Sequence, residues 1–228
     1  MNNVFSVWKP PAITSFDIVR KIKSLNISNK VGHCGTLDPF AEGVVVICTG
    51  SETSNSSYYM EKKKKYLAKI IFGKETDTLD LTGQVIKQAN KKIINTDVFD
   101  NILNNFIGDI LQVPPYFSAK KINNVKLYDL ARKNIFVRLK PVKVTVYDIK
   151  AIEVSQDYAI IEVFCSKGTY IRCLARDIAY NLDTYGYLES LQRLSVGSFN
   201  EKNSIKYEDL DKCKFKNWTI QTQLKNVF

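Results

Sequence analysis

The chain has 228 residues, of which 45% are hydrophobic and 25% are charged, a balance that is typical of a folded globular protein. Lysine and arginine together number 33 and aspartate and glutamate 23, so the formal net charge is +10. A surplus of this size attracts polyanions and favours a nucleic-acid partner, although the lysine- and asparagine-rich composition of an AT-rich genome would give the same charge.

The N-terminal residues and the cysteines exclude several classes of protein. No charged segment followed by a long apolar stretch opens the chain, and the longest compact apolar run, residues 44–48, is far shorter than a membrane span. The five cysteines include no Cys-x-x-Cys pair and His33 is the only histidine, which excludes a zinc finger and disfavours a disulfide framework. We therefore expect a reduced, cytoplasmic protein with no membrane anchor.

The first third of the chain predicts a strand, a capped helix and a buried strand. Residues 4–8 favour a short strand. Thr14 and Asp17 have the spacing of a capping box, in which each side chain accepts a hydrogen bond from the other residue's backbone. Apolar residues at helical spacing follow it. Residues 44–48 have the β-branched density of a buried strand.

The rest of the chain mixes strands and helices. Residues 66–72 predict another strand, and Thr96 is expected to cap a helix. Residues 142–154 and 158–165 predict two more strands, after which Thr169 is expected to cap a helix with one apolar face. Because strict β-α-β alternation is absent, we predict an α+β fold in which a mixed, mostly antiparallel central sheet is flanked by helices.

The segment Gly32-His33-Cys34-Gly35-Thr36-Leu37-Asp38-Pro39 allows two interpretations. Its glycines let the backbone adopt a left-handed conformation or approach another group closely. Asp38 before Pro39 is also a standard helix start, with the aspartate as N-cap and the proline as the first helical residue. A lone His33 is more typical of a hydrogen-bonded structural residue than of a catalyst. From this segment alone, the structural and the catalytic interpretation both stay open.

Two longer motifs carry a resemblance to a known family. They are His-x-Gly-Thr-Leu-Asp-Pro at residues 33–39 and Ser-Lys-Gly-Thr-Tyr-Ile-Arg at residues 166–172. The other matches are Lys9-Pro10 with Thr14-Ser15, Gly43, Lys65-Tyr66, Gly73 with Thr76, Asp77, Asp80 and Gly83, residues 114–120 with Tyr128, Ala131 and Arg132, and residues 191–194. In this order and at this spacing, they resemble the TruB family of tRNA pseudouridine synthases, which also includes the catalytic domain of Cbf5 and dyskerin.

The resemblance implies a reacting centre of three residues. Asp38 matches the carboxylate that attacks the target nucleotide, at its base or at its ribose, and so allows the N-glycosidic bond to be cleaved. Arg172 matches the arginine that pairs with this aspartate, and Tyr66 matches the tyrosine that stacks on the extruded base. We therefore expect Asp38 within salt-bridge distance of Arg172 and beside the ring of Tyr66. Without the resemblance, Arg172 is equally typical of an exposed helix and Tyr66 of a core strand.

The resemblance also implies the surroundings of this centre and its substrate. His33 matches a histidine at the base-flipping site, and Leu191 and Tyr170 match residues that line the base pocket, for which an ordinary core role is an alternative. The implied substrate is uridine 55 in the T arm of tRNA. Because the reaction is an intramolecular rearrangement without a redox step, we expect no metal and no organic cofactor, and we expect a monomer.

The same resemblance predicts how the chain is divided. Residues 1–200 are expected to form a single catalytic domain with a basic, RNA-clamping insertion at about residues 114–140, and residues 201–228 a short extension without a PUA domain. Cys34 stands where Thr or Ser is more common, and Phe117 where Tyr is usual, but neither touches the implied chemistry. Two alternatives stay open, an RNA-binding module with little catalysis and a synthase that depends on a guide RNA.

Overall fold

The computed structural model describes residues 2–89, 96–118, 120–122 and 125–213 of the chain. The α-helices in these ranges are α1 (Ser15–Ser24), α2 (Ser56–Met60), α3 (Thr96–Asn104), α4 (Leu127–Ala131) and α5 (Ile171–Asn181). The strands are β1 (Val4–Lys9), β2 (Val31–His33), β3 (Glu42–Thr49), β4 (Lys64–Phe72), β5 (Lys74–Thr76), β6 (Val85–Gln88), β7 (Gly108–Gln112), β8 (Lys121–Ile122), β9 (Val125–Lys126), β10 (Val142–Val154), β11 (Tyr158–Cys165), β12 (Gly186–Val196), β13 (Phe199–Asn200) and β14 (Ser204–Lys206). Within the described ranges, no helix has the length and apolar character needed to cross a bilayer.

Two compact units share these elements. The first consists of the chain up to Tyr66 together with the chain from Leu191 onward, and the second is Leu67–Ser190. Because both boundaries fall inside strands, β4 and β12 each contribute residues to both units. The strand order is β14-β1-β3-β12 in the first unit and β4-β11-β10-β7 in the second.

The strand pairing is mixed. β1 with β3, β2 with β3, β10 with β11 and β10 with β7 are antiparallel pairs, whereas β14 lies parallel to β1 and β12 parallel to β3. Helices accompany the strands in both units. The predicted fold class, α+β with a mixed and mostly antiparallel sheet, is confirmed.

The core of the first unit is built around β3. Residues 44–48 are all fully buried, because β3 lies between β1 and β12. A central strand that is buried on both faces needs apolar residues at consecutive positions, which explains the uninterrupted apolar run in the sequence. Each such side chain stabilises the fold by about 1.5–3 kcal/mol relative to an exposed position.

Helix α1 begins where the sequence predicted. The Thr14 hydroxyl accepts a hydrogen bond from the Asp17 backbone N–H at 3.1 Å, and the Asp17 carboxylate accepts one from the Thr14 N–H at 2.7 Å. This reciprocal capping box satisfies two backbone donors that the first turn of a helix leaves open. Ile18, Val19 and Ile22 form the buried face of the helix.

The second unit has a long hairpin at its centre. Strands β10 and β11 span the predicted residues 142–154 and 158–165. Every second residue of β11 is buried, as expected for a strand with one face toward the core. Helix α3 packs against β10 and against α5.

The predicted N-cap of α5 is displaced by one residue. Tyr170 occupies the N-cap position of α5, and the Thr169 hydroxyl instead donates to the Ser166 carbonyl at 3.1 Å, so the prediction of a Thr169 cap is wrong. A threonine hydroxyl that satisfies a turn carbonyl is not available for capping. Helix α3 includes Thr96 as its first residue, a difference within the usual uncertainty of helix ends.

The described part of the C-terminal extension belongs to the first unit. Strand β14 pairs with β1, with Ser6 opposite Ser204, and the 3₁₀ segment Tyr207–Lys212 follows it. Leu210 in this segment is fully buried. Lys21 of α1 forms a 2.8 Å ion pair with Asp211. Residues 201–213 therefore complete an edge of the first unit.

Candidate active site

Asp38 lies in a loop that joins β2 to β3. The loop ends in a turn of residues 38–41, closed by a 3.2 Å hydrogen bond from the Ala41 N–H to the Asp38 carbonyl. Strand β3 follows this turn directly, so the interpretation of Asp38 as a helix N-cap is wrong. The Asp38 side chain is half-buried. We call residues 34–41 the Asp38 loop.

The start of α1 holds one side of the Asp38 loop. The buried Ser15 hydroxyl donates to the Leu37 carbonyl at 3.2 Å and accepts from the Leu37 N–H at 2.9 Å. The Pro39 carbonyl accepts from the Ala12 N–H at 2.9 Å and from the Lys9 ammonium at 3.2 Å. The residues immediately before and after Asp38 are therefore both fixed through their backbone groups.

Two buried cations lie beside the Asp38 loop. Lys9 is fully buried, and its ammonium also donates to the carbonyls of Pro10 at 2.9 Å and Ile13 at 2.8 Å. Arg193 is 2% exposed and donates to the carbonyls of Val44, Thr36 and Gly35. No role was predicted for either residue from the sequence. The available signal was that Lys9 and Arg193 belong to segments that match the family motifs.

Burial and the charge of Arg193 lower the pKa values of two neighbouring groups, Lys9 and His33. Burial, and then the charge of Arg193, lower the pKa of Lys9 to about 8, while Asp38 and Glu42 act in the opposite direction. The pKa of His33 is lowered for the same two reasons, so its imidazole is neutral at pH 7. Within the described residues, His33 Nδ1 is buried and makes no hydrogen bond.

The predicted site residues fall into both units. His33, Asp38, Tyr66 and Leu191 belong to the first unit, whereas Tyr170 and Arg172 belong to the second. Tyr66 of β4 is 8% exposed, and Leu191 of β12 is 5% exposed. The pairing of Asp38 with Arg172 beside Tyr66 stays a prediction.

Arg172 is the centre of a buried network in the second unit. It is 3% exposed, so the alternative of an exposed helix arginine is wrong. Its guanidinium donates to the carbonyls of Thr78 at 2.7 Å and Phe117 at 3.0 Å and lies 3.4 Å from an Asp80 carboxylate oxygen. Because Phe117 contributes only its carbonyl here, the tyrosine hydroxyl that this chain lacks is not needed for the contact.

The Asp80 carboxylate is itself held by its own turn. Its Oδ1 accepts from the Thr82 N–H at 3.0 Å, the Thr82 hydroxyl at 2.5 Å and the Thr78 hydroxyl at 2.8 Å. These bonds leave the other oxygen directed toward Arg172. A buried ion pair is tolerable when further hydrogen bonds accompany it, and here the carboxylate accepts three through one oxygen while the guanidinium donates two to backbone carbonyls. Asp80 is therefore a partner of Arg172 for which no role was predicted from the sequence.

Tyr170 is fixed through its backbone. Its N–H donates to the side-chain oxygen of Gln112 at 2.8 Å, and its carbonyl accepts from the Gln112 amide at 3.1 Å. Gln112 is 1% exposed, and this two-bond contact ties the end of β7 to the start of α5. The Tyr170 side chain remains half-buried.

Comparison with known proteins identifies the class to which this fold and site belong. A solved structure described as a Cbf5-Nop10-Gar1 complex is similar to 93% of this chain with a TM-score of 0.73 and 25% identity. The chain spans about half the length of that structure's matched chain, 54%. The likeness shows the fold of a pseudouridine synthase catalytic domain.

Sequence comparison then gives the family. Residues 20–171 match the model described as TruB family pseudouridylate synthase (N terminal domain). A Clostridium kluyveri protein named tRNA pseudouridine synthase B is 44% identical over 92% of this chain and 73% of its own length. A Clostridium tetani protein of the same name is 42% identical over 98% of this chain and 77% of its own length. The chain belongs to the TruB family of pseudouridylate synthases, which are isomerases.

Proposed function

We propose that this protein converts uridine 55 in the T loop of tRNA to pseudouridine. The observation that carries the proposal is the Asp38 loop, whose backbone is anchored on both sides of a half-buried carboxylate. Catalysis by a carboxylate requires such preorganisation, because its position relative to the reacting atom determines the rate. The two Clostridium relatives carry names that point to pseudouridine formation in tRNA.

In the proposed reaction, the target uridine first leaves its stack, at a cost of about a few kcal/mol. The Asp38 carboxylate then attacks the base or the ribose, and the bond between N1 and C1′ breaks. The detached base turns so that C5 faces C1′ and the C5–C1′ bond forms. The bond to Asp38 is then broken to release the carboxylate, C5 loses its hydrogen as a proton, and N1 takes up a proton. Reactant and product have the same composition, so the reaction needs no oxidant or reductant.

We assign the surrounding residues to the extruded base. Tyr66 would stack on it, and Leu191 and Tyr170 would line its pocket. His33 would stabilise the flipped nucleotide, a role that its neutral ring and buried, unbonded Nδ1 support. Arg172, oriented by Asp80, would supply positive charge where negative charge develops.

The tRNA would be held by basic segments outside the pocket. Residues 114–140, which include the hairpin of β8 and β9, are proposed to clamp it, and the lysines of residues 62–65 would add phosphate contacts. Two partly exposed rings, Tyr116 and Phe136, form an edge-to-face pair in this clamp at a centroid distance of 5.0 Å. Such rings provide apolar surface for unstacked bases.

Tritium release tests the proposal directly. Transfer RNA that carries tritium at uridine C5 loses it when C5 becomes the glycosidic atom, so we expect release with wild type in the absence of any guide RNA. Asp38→Asn should abolish release and still bind tRNA, because the amide has the same shape but is a poor nucleophile. Release without Asp38 would refute the residue assignment. Binding without release by wild type would favour the RNA-binding module instead.

Asp80→Asn tests the buried network in the second unit. It keeps the shape of the side chain and removes the charge opposite Arg172, so we expect release to slow by about 100-fold as the guanidinium loses its orientation. Leaving a buried charge unpaired should also cost about 3–5 kcal/mol of stability. Asp77→Asn is the matched control, because Asp77 lies in the same turn but is exposed. Equal rates for both variants would contradict the role of Asp80.

A further inference from the structure

We propose that Arg193 is a positioning residue that fixes the conformation of the Asp38 loop and thereby the orientation of the catalytic carboxylate. The inference rests on the proposed function of Asp38. It concerns a residue 155 positions away in the sequence (193 − 38), which lies in β12 and is not itself expected to touch the substrate.

The contacts of Arg193 converge on backbone carbonyls before and after Asp38 in the chain. Its Nε donates to the Val44 carbonyl at 2.6 Å, its Nη1 to the Thr36 carbonyl at 3.1 Å and its Nη2 to the Gly35 carbonyl at 3.3 Å. Gly35 and Thr36 precede Asp38, and Val44 follows it at the start of β3. One rigid guanidinium therefore fixes the distance between the two ends of the segment that carries Asp38.

The chemistry of these contacts requires arginine. Three acceptors that approach one planar group from different directions match the fork of a guanidinium, whereas an ammonium offers its donors from a single point. Burial of a cation at 2% exposure is costly, and an apolar side chain would fill the same space without that cost. The buried charge occurs together with three carbonyls whose positions match the planar guanidinium. This indicates that Arg193 holds the loop backbone in place and does not merely fill space.

The backbone around Arg193 allows β12 to approach β3 closely. Strands β12 and β3 lie parallel with Arg193 opposite Gly43, and a Cβ on Gly43 would come within 2.3 Å of the Arg193 carbonyl oxygen. Gly43 also has φ of +119°, a conformation that side chains disfavour. Gly43 allows the backbones of β3 and β12 to lie in close contact, and this contact brings the guanidinium within hydrogen-bond distance of the loop.

Removal of Arg193 should change the rate of the chemical step more than tRNA binding. The loop would keep its bonds to Ser15 and Lys9 but lose its tie to β12, and a displacement of about 1 Å at a catalytic group typically costs about 100-fold in rate. For Arg193→Met we expect single-turnover tritium release to slow by about 100-fold while the dissociation constant for tRNA changes by less than about 3-fold. Arg193→Lys, which keeps the charge without the fork, should be nearly as slow.

A destabilised control separates positioning from general loss of structure. Ile205→Ala removes a buried side chain of β14 in the same unit, away from the Asp38 loop. At a temperature where both variants are fully folded, Ile205→Ala should release tritium at close to the wild-type rate. If it is as slow as Arg193→Met, or if Arg193→Lys has wild-type activity, the positioning role is refuted.

Hydrogen exchange distinguishes failure of this inference from failure of the proposed function. In the protein without RNA, amides of residues 34–41 should exchange at least about 10-fold faster in Arg193→Met than in wild type, whereas those of β1 should not. Unchanged exchange in residues 34–41 would overturn the inference even if the enzyme is active. Absence of tritium release by wild type, with faster loop exchange in the variant, would refute the proposed function and leave the structural tie in place.

Discussion

Lys9 is a buried cation whose protonated form is disfavoured by its surroundings. Its side chain is fully buried, and its pKa is lowered to about 8. Between pH 8 and the unfolded value of 10.5, the unfolded chain holds a proton that the folded protein has released. The contribution of Lys9 to the free energy of unfolding therefore rises with pH across this window.

A comparison of wild type with Lys9→Met isolates this effect. From pH 7 to pH 9.5, we expect the difference in their free energies of unfolding to move by about 2 kcal/mol in favour of wild type. Urea denaturation at both pH values measures the difference. Lys23→Met, at an exposed position of α1, should show no such change. A pH-independent difference for Lys9→Met would mean that Lys9 has an ordinary proton affinity.

His33 should respond at the acid end of the range. Because burial and Arg193 lower its pKa in the folded state, the unfolded chain takes up the proton first as the pH falls below about 6.5. The free energy of unfolding should therefore decrease on acidification through this range. As His33 is the only histidine, its ring signals in an NMR titration are unambiguous. We expect a midpoint below 6.5 in wild type and a higher one in Arg193→Met, and a wild-type midpoint of 6.5 or above would contradict this.

At the scale of elements, helix α1 is a support for the Asp38 loop as well as a packing element. Ser15→Ala would leave the buried N–H and carbonyl of Leu37 without their partner, which should cost about 1–3 kcal/mol of stability and also slow tritium release. Ser24→Ala is the control in the same helix, because its hydroxyl is exposed and bonds only to the Lys21 carbonyl. Similar losses for the two variants in urea denaturation would argue against a specific role of Ser15.

The sequence correctly predicted the elements that depend on residues close together in the chain. The hairpin of β10 and β11 has the predicted bounds because alternation and turn residues define it, and the Thr14 cap needs only a residue three positions away. The support of the Asp38 loop could not be predicted in this way. Arg193 reaches the loop only because β12 lies parallel to β3, and nothing near position 193 in the sequence encodes that pairing.

The candidate site shows the same division. The family motifs predicted roles for Asp38 and Arg172. They did not reveal that the Asp80 carboxylate faces Arg172, because this contact joins residues 92 positions apart (172 − 80). The prediction that Thr169 caps α5 failed for a local reason, because its hydroxyl had a competing acceptor in the preceding turn.

At the scale of the whole molecule, the net charge of +10 should make tRNA binding depend strongly on salt. Each phosphate contact adds about 0.7–0.9 to the slope of log affinity against log salt concentration. Arg132→Gln, in the proposed clamp, should weaken tRNA binding and lower that slope by about 1, without changing the single-turnover rate at saturating protein. Lys202→Gln, at an exposed position of the first unit, is the control. An unchanged slope for Arg132→Gln would remove this residue from the clamp.

The tie between Arg193 and Gly35 spans 158 positions of the chain and therefore also fixes an order of events during synthesis. At about 5–20 residues per second, a ribosome needs roughly 10–30 s after making Gly35 before it adds Arg193, and the exit tunnel delays contact further. Throughout that time the nascent chain carries Asp38 without the guanidinium that secures its loop. Asp38 is thus made well before the arginine that supports its loop.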